Sequence, residues 1–230
     1  MREARAERAA RRTSAPADRY AGPRRRMVEQ LAHGGVRDPR VLDAFAQVPR
    51  HRLLPEALAG QAYRDTAIPI GDGQTISAPS VVAAMSQALE LRGHETVLEV
   101  GTGSAYQAAI LARLAARVIS IERVPRLAAR ARKSLDELGV GNAVVYLGDG
   151  SRGRPGDAPF DAIVVTAAGP TVPEPLLDQL AVGGRLVGPF GERDAQELLR
   201  IRRTARDRYT QERIGRCRFV DLVGAHGWRE

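Results

Sequence analysis

The sequence TVLEVGTGSAY, at residues 96–106, places an apolar run directly before a pair of glycines. The apolar run predicts a short buried strand over residues 96–100, and the Ala- and Leu-rich segment at 105–116 predicts a helix. Glycines between a strand and a helix allow the backbone to approach a ligand closely. The carboxyl end of such a strand is where open α/β sheets bind ligands, so we expect a binding site at this turn.

The alternation of strands and helices continues towards the C-terminus. We predict further strands at 117–122, 143–147, 161–165 and 185–188, and helices at 125–138 and 173–181. This order is typical of the α/β class, with a doubly wound, mostly parallel, Rossmann-like sheet and right-handed crossovers. Residues 197–204 and 214–223 lack helical periodicity and predict a C-terminal strand pair, which we expect to form a hairpin.

The N-terminal part of the chain is mainly helical in its pattern. We predict two short helices within residues 24–48, broken at Gly34-Gly35, and another helix from Pro79 to Leu91. Residues 60–78 are rich in glycine and proline and predict a long loop. Because long loops without structure of their own are often functional, we expect this loop to contribute to a site.

The positive charge of the chain is concentrated at its N-terminus. The 230 residues include 35 Lys and Arg against 27 Asp and Glu, a formal net charge of +8. Residues 1–26 hold nine arginines and three acidic residues, so the other 204 residues have a net charge of only +2. A nucleic-acid-binding protein would spread basic and aromatic residues over its folded surface. We therefore expect a nucleic-acid partner to be absent and residues 1–23 to be a basic extension.

Cysteine content and hydropathy indicate the compartment. The single cysteine, Cys217, excludes a disulfide framework and a cysteine metal cluster, and it fits a reducing compartment. The sequence has no run of about 18 apolar residues, and no apolar segment of a secretory signal follows the basic N-terminus. We expect a cytoplasmic protein with no membrane association and no metal site.

Acidic residues lie at the ends of three consecutive predicted strands, at Glu99, Glu122 and Asp149. A carboxylate at the position of Glu122 can accept hydrogen bonds from both hydroxyls of a ribose. A dinucleotide would place its pyrophosphate at the helix N-terminus, where a nearby carboxylate is unfavourable. S-Adenosylmethionine has a cationic sulfonium and an ammonium group instead, so the three acidic residues favour it as cofactor. A dinucleotide, or a fold with no ligand here, remains as an alternative.

Several motifs together resemble the protein-L-isoaspartate O-methyltransferase family, over about residues 24–223. The loop GQTISAP at 73–79 resembles the signature loop of that family, and VLEVGTGS at 97–104 with YQAA at 106–109 resembles its first cofactor motif. The remaining matching motifs follow in the order of the family: VPRH at 48–51, SIER at 120–123, GDG at 148–150, FD at 160–161, TAA at 166–168 and QLAVGG at 179–184.

The resemblance implies methyl transfer from S-adenosylmethionine to the α-carboxylate of L-isoaspartyl residues in damaged proteins or peptides, followed by succinimide formation and repair. It implies that Ser77 is the active-site residue and that the neighbouring residues Thr75, Ile76 and Ala78, together with Ala167, bind the substrate. The cofactor contacts it implies are Glu99, Gly101, Thr102, Gly103, Glu122, Arg123, Asp149 and Gly150. We further expect one methyltransferase domain over 24–230 in a monomer, with a helical substrate-side subregion at 24–92, a cofactor-binding core at 93–192 and C-terminal strands at 193–230.

The chemistry of the reaction agrees with these residue types. A carboxylate is ionised at neutral pH and needs no general base to act as a nucleophile. Attack of an anion on a sulfonium cancels charge, so alignment in a dry site is the main task. We therefore expect Ser77 to hold the acceptor by a hydrogen bond rather than to act as a nucleophile. Its alternative role is structural, as the neighbour of the N-cap of the helix that begins at Pro79.

Other functions remain open at this stage. The chain could be a carboxyl methyltransferase dedicated to one peptide partner, a small-molecule methyltransferase, or a cofactor-binding module without turnover. Residues 166–169 read TAAG, whereas enzymes that methylate amines usually have Asn-Pro-Pro-Tyr or a close variant there. Three departures from the family pattern bear on affinity: Ala105 in place of a glycine, Asp72 in place of an uncharged residue, and Asp221 in place of a proline.

Overall fold

The computed structural model describes residues 18–229. The predicted basic extension therefore lies mostly outside the described residues. Among these residues, the first helix begins at Ala21, three residues before the position predicted from the sequence. Within residues 18–229, no helix has both the length and the apolar character needed to cross a bilayer.

The strands are β1 (Ile68–Gly71), β2 (Gln74–Ile76), β3 (Thr96–Val100), β4 (Arg117–Glu122), β5 (Ala143–Leu147), β6 (Phe160–Val165), β7 (Leu180–Glu192), β8 (Ala195–Ala205) and β9 (Arg208–Cys217). Seven of them form one sheet in the order β5-β4-β3-β6-β7-β8-β9. The first five in this order are parallel to their neighbours, and β8 and β9 extend the sheet antiparallel. The predicted doubly wound, mostly parallel α/β fold is confirmed.

The helices are α1 (Ala21–His33), α2 (Pro39–Gln47), α3 (Pro79–Ala88), α4 (Tyr106–Leu111), α5 (Pro125–Glu137) and α6 (Glu174–Asp178), with short 3₁₀ turns at Arg50–Leu53, Glu56–Gln61, Gly150–Arg152 and Pro155–Asp157. Successive side chains of a strand point to opposite faces of a sheet. Val97 accordingly joins the apolar cluster formed with helices α1 to α5, whereas Leu98 and Val100 join a second cluster that includes Leu176 of α6. The parallel strands are therefore covered on both faces, as this sheet type requires.

The order of strands places the site. β3 is flanked by β4 on one side and by β6 on the other: the chain runs from β3 through β4 to β5 on one side, and then crosses back to β6 on the other side of β3. A crevice forms at such a reversal point, outside the carboxyl ends of the strands. The ends of β3, β4 and β6 bring Gly101, Glu122 and Thr166 to this crevice.

The sequence predicted one long loop over residues 60–78, but part of this segment forms strands. Ile68–Gly71 and Gln74–Ile76 pair antiparallel as a small hairpin, β1–β2. The turn between them uses Asp72 and Gly73 at φ +52° and +69°, with Gly71 at φ +94°. The glycines favour this turn because they adopt positive φ without a steric cost. The glycine content that suggested a loop thus belongs to a tight hairpin turn.

Several predicted boundaries were wrong at their C-terminal ends. The helix predicted at 105–116 ends at Leu111, and the side-chain amide of Asn142 binds the carbonyl oxygens of Ala112 and Ala115 beyond this end, at 2.9 and 3.1 Å. The helix predicted at 173–181 spans only Glu174–Asp178, since β7 already begins at Leu180 beside Phe160.

The second strand of the C-terminal hairpin was predicted at 214–223 but spans Arg208–Cys217. The pairing of Ala205 with Arg208 fixes this register, because the connection between β8 and β9 is only two residues long. Residues 219–223 leave the hairpin and cross the ends of the parallel strands, where Asp221 bridges to Ala168. This crossing places the C-terminal segment against the crevice.

Candidate active site

A cavity of about 370 Å³ occupies the crevice at the carboxyl ends of β3, β4 and β6. Residues 73–77 around β2, the turn after β3, the end of β4 and the crossing segment 219–223 form much of its wall, and residues of α3, α4 and the ends of β5 and β6 complete it. Of the residues predicted from the sequence, ten line this cavity: Thr75, Ile76, Ser77, Gly101, Thr102, Gly103, Glu122, Arg123, Gly150 and Ala167. The other three, Ala78, Glu99 and Asp149, do not.

The turn after β3 depends on glycine for two reasons. Gly101 has φ +97°, and a Cβ at this position would lie 2.4 Å from Thr166 Oγ1. Gly103 has φ +54°, and its N–H donates to Glu122 Oε2 at 2.8 Å. Ala105 follows at φ +68°, so this departure from the family pattern places an alanine in the left-handed region where glycine is favoured. At Gly101 and Gly103 the turn therefore brings backbone without a side chain to the cavity wall.

Glu122 is held in place by backbone donors. Its two oxygens accept hydrogen bonds from the Gly103 and Val124 N–H groups at 2.8 and 2.9 Å, and only 5% of the residue is exposed. A carboxylate offers about four acceptor positions, so about two remain for a ligand. The carboxylate is fixed in orientation and lines the cavity, which suits recognition of two neighbouring hydroxyls.

Glu99 lies beneath the turn and not in the cavity wall. Its Oε2 accepts a hydrogen bond from the Ser120 hydroxyl, which also contacts the Thr102 hydroxyl at 2.5 Å. The residue is fully buried, and its Oε1 has no partner among residues 18–229. Desolvation raises the pKa of Glu99 to about 8, the nearby Glu122 charge adds to this, and only the Ser120 hydrogen bond opposes it.

Asp149 is bound to the C-terminal segment. Its carboxylate accepts hydrogen bonds from the Ser151 hydroxyl at 2.6 Å and from the Ala225 N–H at 2.8 Å. Desolvation acts to raise its pKa, but these donors, together with the Ser151 N–H and Arg152, outweigh it, and the pKa of Asp149 is lowered. The residue lines a neighbouring open groove, beside Trp228 and Arg123, rather than the 370 Å³ cavity.

Ser77 lines the cavity at the start of α3 and does not cap the helix. The N-cap residue is Ala78, whose side chain cannot accept a hydrogen bond. The Ser80 N–H in the first turn of the helix is bound instead by Asp65 Oδ1 at 2.9 Å. Among the described residues, the Ser77 hydroxyl has no hydrogen-bond partner. The hydroxyl is therefore available to a ligand in the cavity.

Arg50 fixes the backbone of Ser77 from below. Its guanidinium is fully buried and donates to the carbonyl oxygens of Ala62 and Ser77, both at 2.7 Å, while it stacks 4.6 Å from the ring centroid of Tyr106. Burial lowers the pKa of Arg50 to about 10, so the side chain is still charged at neutral pH. The sequence analysis gave Arg50 no role. Its position within the motif VPRH, before an apolar stretch, could have indicated a buried arginine.

The crossing segment forms one wall of the cavity, which sequence reasoning also missed. Residues 219–223 line it, and Asp221 is paired with Arg193 at 2.8 Å. The aspartate at this departure from the family pattern thus has its charge compensated. Asp72, the other acidic departure, is exposed and does not line the cavity, while its neighbour Gly73 does.

The residues present fit S-adenosylmethionine. Glu122 offers acceptor positions for ribose hydroxyls, and Gly101 and Gly103 bring backbone close to where a ligand would lie. A buried acceptor in the wall, Gln107 Oε1, has no partner among residues 18–229, which suits a ligand with N–H donors. In the turn before α4, the Gly103 N–H is already bound by Glu122 Oε2 at 2.8 Å, and the acidic Glu122 lines the same wall.

Comparison of the sequence with families of known proteins gives one consistent result. The model of the family described as protein-L-isoaspartate(D-aspartate) O-methyltransferase matches residues 23–227. A relative from Syntrophus aciditrophicus (strain SB), named protein-L-isoaspartate O-methyltransferase, is 51% identical over 214 residues, which are 92% of this chain and 98% of the relative. Protein-L-isoaspartate O-methyltransferase 1 of Syntrophobacter fumaroxidans is 56% identical over 206 residues, 89% of this chain and 96% of the relative.

Solved structures agree with the sequence comparison. A protein-L-isoaspartate O-methyltransferase structure superposes with a TM-score of 0.79 at 28% identity, over 89% of this chain and 67% of that one. A putative protein-L-isoaspartate O-methyltransferase from Plasmodium falciparum, solved in complex with S-adenosyl-L-homocysteine, superposes with a TM-score of 0.76 at 26% identity, over 87% of this chain and 98% of that one.

Proposed function

Because the chain belongs to the protein-L-isoaspartate(D-aspartate) O-methyltransferase family, we propose that the cavity holds S-adenosylmethionine at its Glu122 end and the acceptor carboxylate at its Ser77 end. The protein is an S-adenosylmethionine-dependent enzyme that methylates isoaspartyl residues of proteins or peptides. The observation that carries the proposal is that one cavity is lined by the segment 73–77, here called the acceptor loop, and also by the glycine turn 101–104 and Glu122.

At the cofactor end, the chain supplies acceptors and close backbone. Glu122 accepts the ribose hydroxyls at the positions that Gly103 and Val124 leave free. Gly101, Thr102, Gly103, Arg123 and Gly150 form the surrounding wall. Glu99 does not touch the cofactor itself but supports the turn through the Ser120 and Thr102 hydroxyls. For the contact predicted for Asp149, its carboxylate must bind the cofactor and the Ala225 N–H at the same time. When bound, S-adenosylmethionine supplies an activated methyl group on a cationic sulfur.

At the acceptor end, the chain positions a nucleophile that is already charged. The α-carboxylate of an isoaspartyl residue is ionised at neutral pH, so no general base is required. The Ser77 hydroxyl donates a hydrogen bond to the carboxylate and fixes one oxygen in line with the methyl group. Arg50 holds the Ser77 backbone through its carbonyl oxygen and so acts as a positioning residue. The resulting ester closes to a succinimide that reopens in part to normal aspartate.

The hairpin β1–β2 is suited to an extended substrate. Its two strands form a separate two-stranded sheet, and Thr75 in β2 is exposed while Ile76 is buried. An extended peptide can pair with such an edge through backbone groups, with little dependence on its side chains. An isoaspartyl residue differs from aspartate in its backbone path, so recognition by backbone pairing provides the required discrimination. Thr75, Ile76, Ala78 and Ala167 form the substrate side of the site in this proposal.

The test is methyl transfer to paired peptides that differ only in one isoaspartyl or aspartyl linkage. We expect transfer of label from S-adenosylmethionine to the isoaspartyl peptide and background transfer to its aspartyl twin. A panel of unrelated isoaspartyl peptides should react with similar kcat/KM. Activity restricted to one peptide sequence would favour an enzyme dedicated to one partner, and cofactor binding without transfer to any peptide would contradict the proposed function.

Replacing Ser77 with alanine tests its role. We expect Ser77→Ala to lower kcat about 10- to 100-fold, because one hydrogen bond to a charged acceptor is lost. The affinity for S-adenosylhomocysteine, measured by calorimetry, should change less than about twofold. Ser80→Ala, in the same helix start, is the matched control and should retain activity. Equal losses of turnover and cofactor affinity would contradict the assignment of Ser77 to the acceptor.

Further features complete the proposal. We divide the domain into a substrate-side part at 24–92, a cofactor-binding core at 93–192 and C-terminal strands at 193–230. Each part contributes its own section of the cavity wall, with residues 73–77 from the first, the glycine turn and Glu122 from the second and residues 219–223 from the third. We also propose a cytoplasmic monomer without a nucleic-acid partner. The free Cys217 thiol supports the reducing compartment, and the small net charge outside residues 1–26 supports the absence of a nucleic-acid partner. Light scattering with and without DNA tests the monomeric state and the absence of DNA binding.

A further inference from the structure

Gln107 places an unused hydrogen-bond acceptor in the wall of the cavity. It is the second residue of α4, and only 6% of it is exposed. Its Oε1 is buried and accepts no hydrogen bond from any residue between 18 and 229. A buried carbonyl oxygen without a donor is unfavourable, so native structures rarely keep one without a water molecule, an ion or a ligand as its partner. The position of the amide therefore points to a ligand.

The neighbouring Ser86 fixes which end of the amide faces the cavity. The Ser86 hydroxyl donates its proton to the Val82 carbonyl oxygen at 2.8 Å, so it can only accept from Gln107. Gln107 Nε2 lies 2.9 Å from Ser86 Oγ and supplies that hydrogen bond. A flipped amide would set two acceptors against each other, so the amide nitrogen is bound to Ser86 in α3 and the oxygen is left without a donor among residues 18–229.

The free oxygen requires a ligand group with an N–H donor. Gln107 shares the cavity wall with Ser77, Val82 and Met85, and its side-chain amide is bound to Ser86 in α3. Two N–H donors can reach this part of the wall: the α-ammonium group of S-adenosylmethionine and a backbone N–H of the peptide. The ammonium group is a cation that must be fully desolvated here, and a hydrogen bond to a charged donor is about twice as strong as a neutral one.

We propose that Gln107 Oε1 binds the α-ammonium group of the cofactor, so that Gln107 is a cofactor-binding residue that selects for the amino-acid end of S-adenosylmethionine. A neutral amide oxygen suits this role, because it accepts from the cation without adding a negative charge beside the anionic acceptor carboxylate. The inference rests on the proposed function only through its cofactor, and it does not depend on which substrate is methylated.

The test compares three ligands by calorimetry, on the wild-type enzyme and on Gln107→Met. Methionine has a similar shape but no acceptor for an N–H donor. We expect the variant to bind S-adenosylhomocysteine about 10- to 100-fold more weakly. It should bind 5′-methylthioadenosine, which lacks the amino-acid end, and the analogue of S-adenosylhomocysteine that lacks only the amino group, with the affinity of the wild type.

Gln179→Met is the matched control. Gln179 is another buried glutamine, 7% exposed, but both ends of its amide are bound, to the Arg154 N–H at 2.6 Å and to the Arg152 carbonyl oxygen at 2.9 Å. It does not line the cavity. We expect Gln179→Met to lower the melting temperature and leave the affinity for S-adenosylhomocysteine unchanged, the reverse of Gln107→Met. Gln107→Leu, which also lacks the acceptor, replaces the methionine variant if that variant does not fold.

Several outcomes would overturn the proposal. An unchanged affinity for S-adenosylhomocysteine would do so, as would equal weakening of that ligand and its deaminated analogue. A rise in the KM for the isoaspartyl peptide alone would assign the acceptor to the substrate instead. Because calorimetry needs no peptide, the ammonium contact can be confirmed even if the paired-peptide assay contradicts the proposed substrate.

Discussion

Two buried glutamates of this protein have opposite pKa shifts, and the number of their donors explains the difference. Glu95 is 2% exposed, and its carboxylate accepts from the Arg92 and Gly93 N–H groups, both at 2.8 Å. Desolvation acts to raise its pKa, but these backbone donors outweigh it and lower the pKa of Glu95. Glu99 receives one hydroxyl donor, and desolvation raises its pKa to about 8. Burial alone therefore does not decide the charge of a carboxylate.

The raised pKa of Glu99 predicts a pH-dependent stability. Its pKa is about 8 in the folded state against 4.5 without perturbation, so between these values the folded state holds a proton that the unfolded state has lost. The free energy of unfolding must then fall as pH rises through this window, by up to about 1.4 kcal/mol per pH unit for one proton. We expect Glu99→Gln, which cannot ionise and can keep the Ser120 hydrogen bond, to remove this slope.

Urea denaturation of the cofactor-free protein between pH 5.5 and 8 measures the effect. The difference in stability between Glu99→Gln and the wild type should grow in favour of the variant as pH rises. Glu95→Gln is the control: the lowered pKa of Glu95 means that both states are ionised in this range, so its difference from the wild type should stay constant. A constant difference for Glu99→Gln would show that Glu99 is ionised in the folded protein.

At the scale of elements, the loop that precedes α3 is joined to the helix by a side-chain cap. Asp65 Oδ1 accepts from the Ser80 N–H at 2.9 Å, across 15 residues, and Ser77 lies between the two. Asp38 caps α2 in a local way, through the Arg40 N–H at 2.9 Å. The two caps have the same chemistry, but only the first holds the acceptor loop against the helix.

Removal of the two caps should therefore have different functional effects. We expect Asp65→Ala and Asp38→Ala each to destabilise the protein by about 0.5–2 kcal/mol. Only Asp65→Ala should also raise the KM for an isoaspartyl peptide, about 3- to 10-fold, because about 1 kcal/mol of loop ordering is then required on binding. Denaturation and steady-state kinetics on both variants check this. Equal kinetics for the two variants would mean that the loop is ordered without Asp65.

The elements that the sequence predicted well are those whose signal is local. The parallel strands and the glycine turn at residues 101–104 follow from apolar runs and from residues adjacent in the chain. The hairpin β1–β2 was missed because its strands are only four and three residues long, too short for a periodic signal. The carbonyl oxygen of Ala112, just beyond the end of α4, is bound by Asn142, some 30 residues away, which no local pattern contains.

At the scale of the whole molecule, the residues that were missed or placed differently depend on long-range contacts. Arg50 reaches the carbonyl oxygens of Ala62 and Ser77, 12 and 27 residues along the chain. Asp149 is bound by Ala225, 76 residues away, which turns its carboxylate from the cavity towards the C-terminal segment. Sequence motifs located acidic residues at the ends of β3 and β4 and just after β5. They could not predict which of those side chains another part of the chain would engage.

The start of helix α1 contributes to the stability of the fold, so we expect the removal of residues 1–17 and the removal of residues 1–26 to have different effects. Tyr20 stacks on His51 with 4.1 Å between ring centroids, and His51 Nδ1 lies 2.8 Å from the Tyr63 hydroxyl. Met27, in the same helix α1, is 2% exposed. None of residues 18–26 lines the cavity. The beginning of α1 therefore supports the fold without contacting the site.

We expect a truncation that removes residues 1–17 to keep both the melting temperature and the activity on isoaspartyl peptides. A truncation that removes residues 1–26 should lower the melting temperature by roughly 2–8 °C, because it removes the Tyr20 stacking and six of the 13 residues of α1. At 25 °C its kcat should stay within about twofold of the wild type, since kcat depends on groups in the cavity. Thermal denaturation and the paired-peptide assay on the two truncations test this directly. Loss of activity on removal of residues 1–17 alone would place the basic extension in the working enzyme and contradict its assignment as an appendage.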